Sequence, residues 1–242
     1  MIYLYKAVLY NPLLNILIFL YNTVAFKDFG LAIIFLTVLI RIILYTIFHK
    51  TVRHQTIMQR LQPRLKRIQD EHKHDREKQT RAMLDLYKEH NINPFSGFLL
   101  LFAQLPILIA LYQIFLNSLR PDFLSGLYGF ISAPGALETS FLGLINLSEK
   151  SILMVSLAAM AQYFQAKLSL SSSRAGEKSP ADRISEKTAF IGPIITIVIF
   201  YGLPAAVSLY WLVSSVFSVV QQIIINKQLS DGKLGNFSEK HS

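Results

Sequence analysis

The sequence predicts an all-α, polytopic membrane protein, and three observations carry the prediction. The 242 residues are 52% hydrophobic and only 16% charged, with a mean hydropathy of +0.39, too apolar a balance for a soluble domain of this size. The apolar residues gather into five segments near the ~20 residues that cross ~30 Å of hydrocarbon. Lysine and arginine crowd into alternate connecting segments, the pattern that orients a chain with its positive loops inside.

Residues 1–28 contain "NPLLNILIFLYN", a short apolar stretch broken by asparagines, which reads as an amino-terminal interfacial helix. A signal peptide is the rival reading, but only Lys6 precedes the run and no small-residue cleavage site follows it. The first span is expected over 29–48. Residues 49–92 read as a cytoplasmic basic helical hairpin: Ile57, Leu61, Leu65 and Ile68 recur at helical spacing, Met83, Leu84 and Tyr87 form a second face, and "HKHD" at 72–75 makes the turn. Carboxylates interleave with its cations, so much of that charge is a solvated face of paired ions.

The second span covers 93–116, and an outer loop over 117–150, rich in Gly and Pro with apolar patches, lies on the membrane surface. A third span (151–167), a flexible cytoplasmic linker (168–187), a fourth span (188–203), a fifth span (204–226) and a cytoplasmic tail (227–242) complete the chain. Spans three and four are short, which requires little tilt or a thinned bilayer. Pro204 turns the last two into a tight hairpin. Only Lys6, Lys27, Arg120 and Lys150 fall on the side opposite the basic segments, which places the amino terminus outside and the carboxyl terminus in the cytoplasm.

Several chemistries drop out. Without cysteine there is no disulfide, thiolate nucleophile or lipidated cysteine. All 15 Asp and Glu and all 6 His lie outside the five spans, so no proton relay, paired-aspartate protease or buried metal set can form there. "HKH" offers two loop histidines and no third ligand. No catalytic residue, metal or cofactor is expected, and no direct DNA binding.

One charge remains inside the bilayer. Arg41 sits in "FLTVLIRIILYTIF", where a centred arginine costs at least ~2.5 to 3.5 kcal/mol. On a continuous helix Thr37 and Tyr45 lie one turn to either side of it. Helical side chains lean toward the amino terminus, which would carry the guanidinium away from the cytoplasm. The other spans offer uncharged partners: Gln104 in the second, Ser156 and Gln162 in the third, and Tyr210, Ser214 and Ser218 on one face of the fifth, with Trp211 beside them. These residues fit ordinary polar helix packing. Taken together with an unpaired cation they argue for a water-filled recess rather than a dry core, a weak anion attractor in which the guanidinium stays solvated.

The order of motifs resembles the YidC/Oxa/Alb family of membrane-protein insertases over nearly the whole chain: "GLAIIFLTVLIRIIL", the basic hairpin, "NPFSGFLLLFAQLPILIALYQIF" and "LPAAVSLYWLVSSVFSVVQQIIINKQL". The resemblance implies a five-helix core around a hydrophilic groove, open to cytoplasm and lipid and closed on the outer side. It carries Arg41 over as the groove cation, Thr37 as its neighbour, Gln104 as a polar contributor, and Tyr210 with Trp211 as contacts for a passing substrate helix. Ser214 joins them, with Tyr45, Ser156, Gln162 and Ser218 as secondary candidates. It further implies the bacterial cytoplasmic membrane as location and nascent membrane proteins as partners, with the Sec translocon, the ribosome and signal-recognition components as further ones. The chain departs from the family in lacking a large periplasmic domain and a lipobox cysteine, in its short and nearly charge-balanced tail, and in "LPAAV", which has no glycine after the proline. Two other classes stay open: a small anion channel or transporter with Arg41 in its pathway, and a membrane anchor whose hairpin recruits a partner.

Overall fold

The amino-terminal helix passes through a proline. In the computed structural model, which describes residues 2–93, 95–118, 120, 122–135, 137–171 and 190–231, α1 (Ile2–Tyr5) continues through a π-helical turn (Lys6–Tyr10) into α2 (Asn11–Thr23). Pro12 lacks an amide hydrogen and its ring crowds the preceding turn. The wider π turn, in which the Asn11 N–H donates to the Lys6 carbonyl, gives that ring room. Tyr3–Thr23 is then one helix of 21 residues, long and apolar enough to cross a membrane by length and composition. It is longer than the sequence suggests, and its asparagines are fasteners. Asn15 donates to the Asn11 and Gly126 carbonyls at 2.8 and 3.0 Å and accepts the Tyr128 amide at 2.6 Å. Asn22 donates to the Ser132 carbonyl at 2.8 Å.

Asp28 caps α3 (Phe29–Ile43), accepting the Leu31 amide at 2.8 Å. The expected straight helix over 29–48 is not what forms: the chain breaks at Leu44, and α4 (Tyr45–Arg60) leaves at 72°. α5 (Gln62–Glu71) and α6 (Arg76–Glu89) then form the hairpin arms, with the turn over residues 72–75. Ile57, Leu61, Leu65, Ile68, Met83 and Tyr87 pack together, joined by Ile225 and Leu229 from the end of the last helix. Leu84 is instead exposed, and Leu86 is buried in that cluster.

α7 (Ser96–Asn117) leads through a 3-10 turn (Phe123–Gly126) to a small antiparallel ribbon. Its strands, β1 (Ser140–Phe141) and β2 (Ile145–Asn146), pair Ser140 with Asn146 and Phe141 with Ile145. α8 (Ile152–Ser171), α9 (Ile191–Phe200) and α10 (Ala205–Ser230) follow. Most of the expected linker (172–187), the start of the expected fourth span (188–189) and the tail from 232 lie outside the described residues.

α10 is the centre of the bundle, packed on α8, α3, α4 and α7, while α9 packs on α8. The pattern is inverted relative to a soluble protein. Apolar side chains face outward, among them Phe102 and Ile109 on α7, Ile194 and Val198 on α9, and Val216, Val220 and Ile223 on α10. The buried face of α10 is instead polar from Ser208 to Gln222. An apolar exterior around a polar interior is what a lipid solvent selects; the protein is an all-α membrane protein.

Candidate functional site: a polar interior face

One end of the bundle is closed by the 117–150 loop. The first amides of α10, orphaned as at every helix start, donate to loop carbonyls: Ala205 to Glu149 at 2.7 Å and Ala206 to Leu147 at 3.0 Å. Both alanines are fully buried, so the small residues after Pro204 allow this approach without a glycine. Asp28, besides capping α3, accepts the Leu142 amide at 2.5 Å. The Tyr21 hydroxyl accepts the Glu138 amide at 3.2 Å. Phe141 lies directly over Gly30, where an added Cβ would stand 2.2 Å from its ring.

Beyond this lid lies the polar face of α10. Tyr210 is 1% exposed, and its hydroxyl accepts a short hydrogen bond from the Gln104 side chain of α7. Arg41, on the neighbouring α3, is 7% exposed. Its guanidinium carbon stands 4.3 Å over the Phe48 ring. The side chain therefore meets the bend at Leu44 rather than only the turn above it, because the break brings α4 back toward α3. Thr37, one turn earlier, is buried and donates to the Ile33 carbonyl at 2.6 Å. Among the described residues Arg41 forms no ion pair.

α10 carries several buried polar atoms that have no hydrogen-bond partner among the described residues: the Ser208 hydroxyl, the Trp211 Nε1, and both amide atoms of Gln221. Ser218 donates to the Ser214 carbonyl at 3.0 Å. Buried groups of this kind cost ~1 to 3 kcal/mol each when nothing satisfies them, and native proteins leave few. These atoms lie on the buried side of α10.

Three candidates fall elsewhere. Tyr45 lies past the break, half turned to the surface and stacked on His49 at 5.2 Å. Ser156 is exposed. Gln162 accepts the Thr196 hydroxyl, tying α8 to α9 as a packing contact. Trp211 is half-buried, its ring 5.2 Å from Phe200.

The hairpin end holds a second hydrogen-bonded network, away from Arg41. The Gln222 amide donates to the Thr56 hydroxyl at 2.9 Å and to Asn226 at 2.8 Å, and Asn226 donates to the Leu168 carbonyl at 3.0 Å. Ser169 donates to Gln59 at 2.8 Å. These bonds join α4, α8 and α10. Their one sequence signal is the cluster of amides at 221–226; Thr56 becomes their partner only after the bend at Leu44 redirects α4.

Among the described residues no group of three or more His, Asp or Glu is placed to hold a metal. The arrangement places one cation and several uncharged polar groups inside the bundle.

Comparisons with known proteins agree with this architecture. The family model described as 60Kd inner membrane protein matches residues 19–232. A membrane protein insertase YidC of Geobacter sulfurreducens is 30% identical over 226 residues, covering 93% of this chain and 38% of its own. Its counterpart in Francisella tularensis subsp. novicida is 32% identical over 203 residues, covering 83% of this chain and 33% of its own. The chain thus spans about a third of the length of these curated relatives. A crystal structure of an active YidC insertase with its first transmembrane domain resolved superposes with a TM-score of 0.61 at 25% identity, covering 89% of this chain and 45% of that one. The chain belongs to the 60Kd inner membrane protein family, the YidC/Oxa/Alb group.

Proposed function

We propose that the protein is a membrane-protein insertase of the bacterial inner membrane, and that its substrates are nascent membrane proteins. The observation that carries this reading is the polar face of α10, with its unsatisfied buried atoms, set beside the unpaired guanidinium of Arg41. In this reading the face is one wall of a hydrated groove. The polar flank of a nascent segment enters from the hairpin end, which lies in the cytoplasm, and Arg41 attracts its acidic residues. The groove stops at the loop lid, which lies outside. The apolar segment then moves sideways into lipid past Tyr210 and Trp211, driven by transfer of apolar surface at ~25 cal/mol per Å². The membrane potential assists acidic tails moving outward. The hairpin receives substrates, and the Sec translocon, the ribosome and signal-recognition components are its candidate collaborators.

At an effective dielectric of ~20, a unit charge ~8 Å from Arg41 is stabilised by ~2 kcal/mol, on the order of tenfold or more in rate. Arg41→Ala should therefore slow insertion of a substrate with an acidic translocated tail by about that factor in reconstituted vesicles. Arg41→Lys should retain most activity, and purified protein in a planar bilayer should pass no current. Normal insertion by Arg41→Ala would remove the electrostatic step. A protein-dependent anion current would replace the insertase with a channel.

A further inference from the structure

A separate cavity of about 340 Å³ opens where α4 meets the start of α7, within the roughly 300 to 1,000 Å³ of ligand clefts. Arg41 and the polar face of α10 contribute nothing to its walls. One side is polar and cationic, with Lys50, Thr46 and Asn93 at the surface and Ser96 beneath them. Ser96 is 5% exposed, and its hydroxyl has no partner among the described residues. Among the described residues no carboxylate lines the cavity. The other side is apolar: Ile47 and Leu99 are 41% and 54% exposed.

The cavity sits at a change of solvent. Leu99 opens the outward apolar face of α7, which continues through Phe102 and Leu105. Lys50 stands at the point where α4 turns from apolar Ile47 and Phe48 to the polar run "HKTVRHQ". Lys50 and Arg53 both place positive potential on His54, which forms part of the floor. The His54 Nδ1 accepts the Asn93 amide at 3.4 Å, so its other ring nitrogen carries the proton and is a donor. A cation, an unused buried hydroxyl and further donors on one side, with exposed aliphatic side chains on the other, match the two halves of one molecule.

We propose that this cavity binds the headgroup of an anionic phospholipid, with the phosphate between Lys50 and Ser96 and the first part of an acyl chain along Ile47 and Leu99. Such a lipid would pin the root of the hairpin to the membrane surface. It is distinct from any substrate in the α10 groove.

The test is native mass spectrometry of the full chain released from nanodiscs of phosphatidylglycerol or of phosphatidylcholine. The wild type should retain one phosphatidylglycerol at least fivefold more often than phosphatidylcholine. Lys50→Gln and Ser96→Ala should each reduce that retention severalfold, whereas Lys78→Gln on the exposed hairpin should leave it unchanged. Circular dichroism of each variant confirms folding. Equal retention of the two lipids would overturn the site, as would full retention in Lys50→Gln. Binding of millimolar inorganic phosphate with no phosphatidylglycerol retained would overturn the lipid assignment.

Discussion

The guanidinium of Arg41 lies against the face of the Phe48 ring, 4.3 Å from its centre. Seven residues of straight helix would hold their backbones ~10 Å apart along the axis. The contact exists because the chain bends by 72° at Leu44. Phe48 is 1% exposed, so its ring offers the cation a desolvated quadrupole.

A cation over an aromatic face is worth ~0.5 to 2 kcal/mol, more when desolvated. Phe48→Leu keeps an apolar side chain and removes the ring. We expect it to lower the thermal unfolding temperature in detergent more in the wild-type background than in Arg41→Gln, with a coupling of ~1 kcal/mol in the double-mutant cycle. Strictly additive effects would show that the pair is adjacent without interacting.

This pair also shows where the sequence was legible. Arg41 stood out because hydropathy and charge are local properties, and the same holds for the hairpin turn at 72–75 and the polar face at Tyr210, Ser214 and Ser218. Its partner did not, because the break at Leu44 carries no proline or glycine. Tyr45 was expected on the arginine's face, and the bend sends it onto His49. Pro12 misled in the opposite sense: it resembles a helix start, yet a π turn absorbs it and the helix begins at Ile2. Leu84, expected on the packed face, is exposed for a third reason, and Leu86 is buried instead. The cluster that buries Leu86 also holds Ile225 and Leu229, which are distant in sequence.

The lid yields a prediction of unusual sign. Replacing glycine with alanine within a helix normally stabilises by ~1 kcal/mol. Gly30 lies in α3, but a Cβ there would stand 2.2 Å from the Phe141 ring. Overpacking of this kind costs ~1 to 3 kcal/mol. Gly30→Ala should lower the unfolding temperature and loosen the loop, read as faster amide exchange at Leu142, whose N–H is held by Asp28. Phe141→Ala in the same chain should restore the ordinary alanine gain. If Gly30→Ala alone stabilises the protein, Phe141 does not press on α3.

The hairpin should respond to acid through Asp75. Its Oδ1 accepts the Lys78 backbone amide at 3.0 Å as the cap of α6, and its Oδ2 lies 3.3 Å from the Lys78 ammonium. The backbone hydrogen bond from Lys78 holds this carboxylate below the usual range, with help from the Lys78 side chain. A lowered folded-state value means that the ionised form favours the folded turn. The contribution is complete above the unfolded value of ~3.9 and disappears as pH falls through the lower, folded value. Because Asp75 sits at the surface, the effect is local and screened by salt. Amide protection factors at the start of α6 should therefore be level from about pH 6 to 5 and decline as pH falls below ~4. Asp75→Asn, which caps equally well but does not titrate, should remove the Asp75-dependent part of that decline. If wild type and Asp75→Asn decline identically, the Asp75 carboxylate does not control the helix.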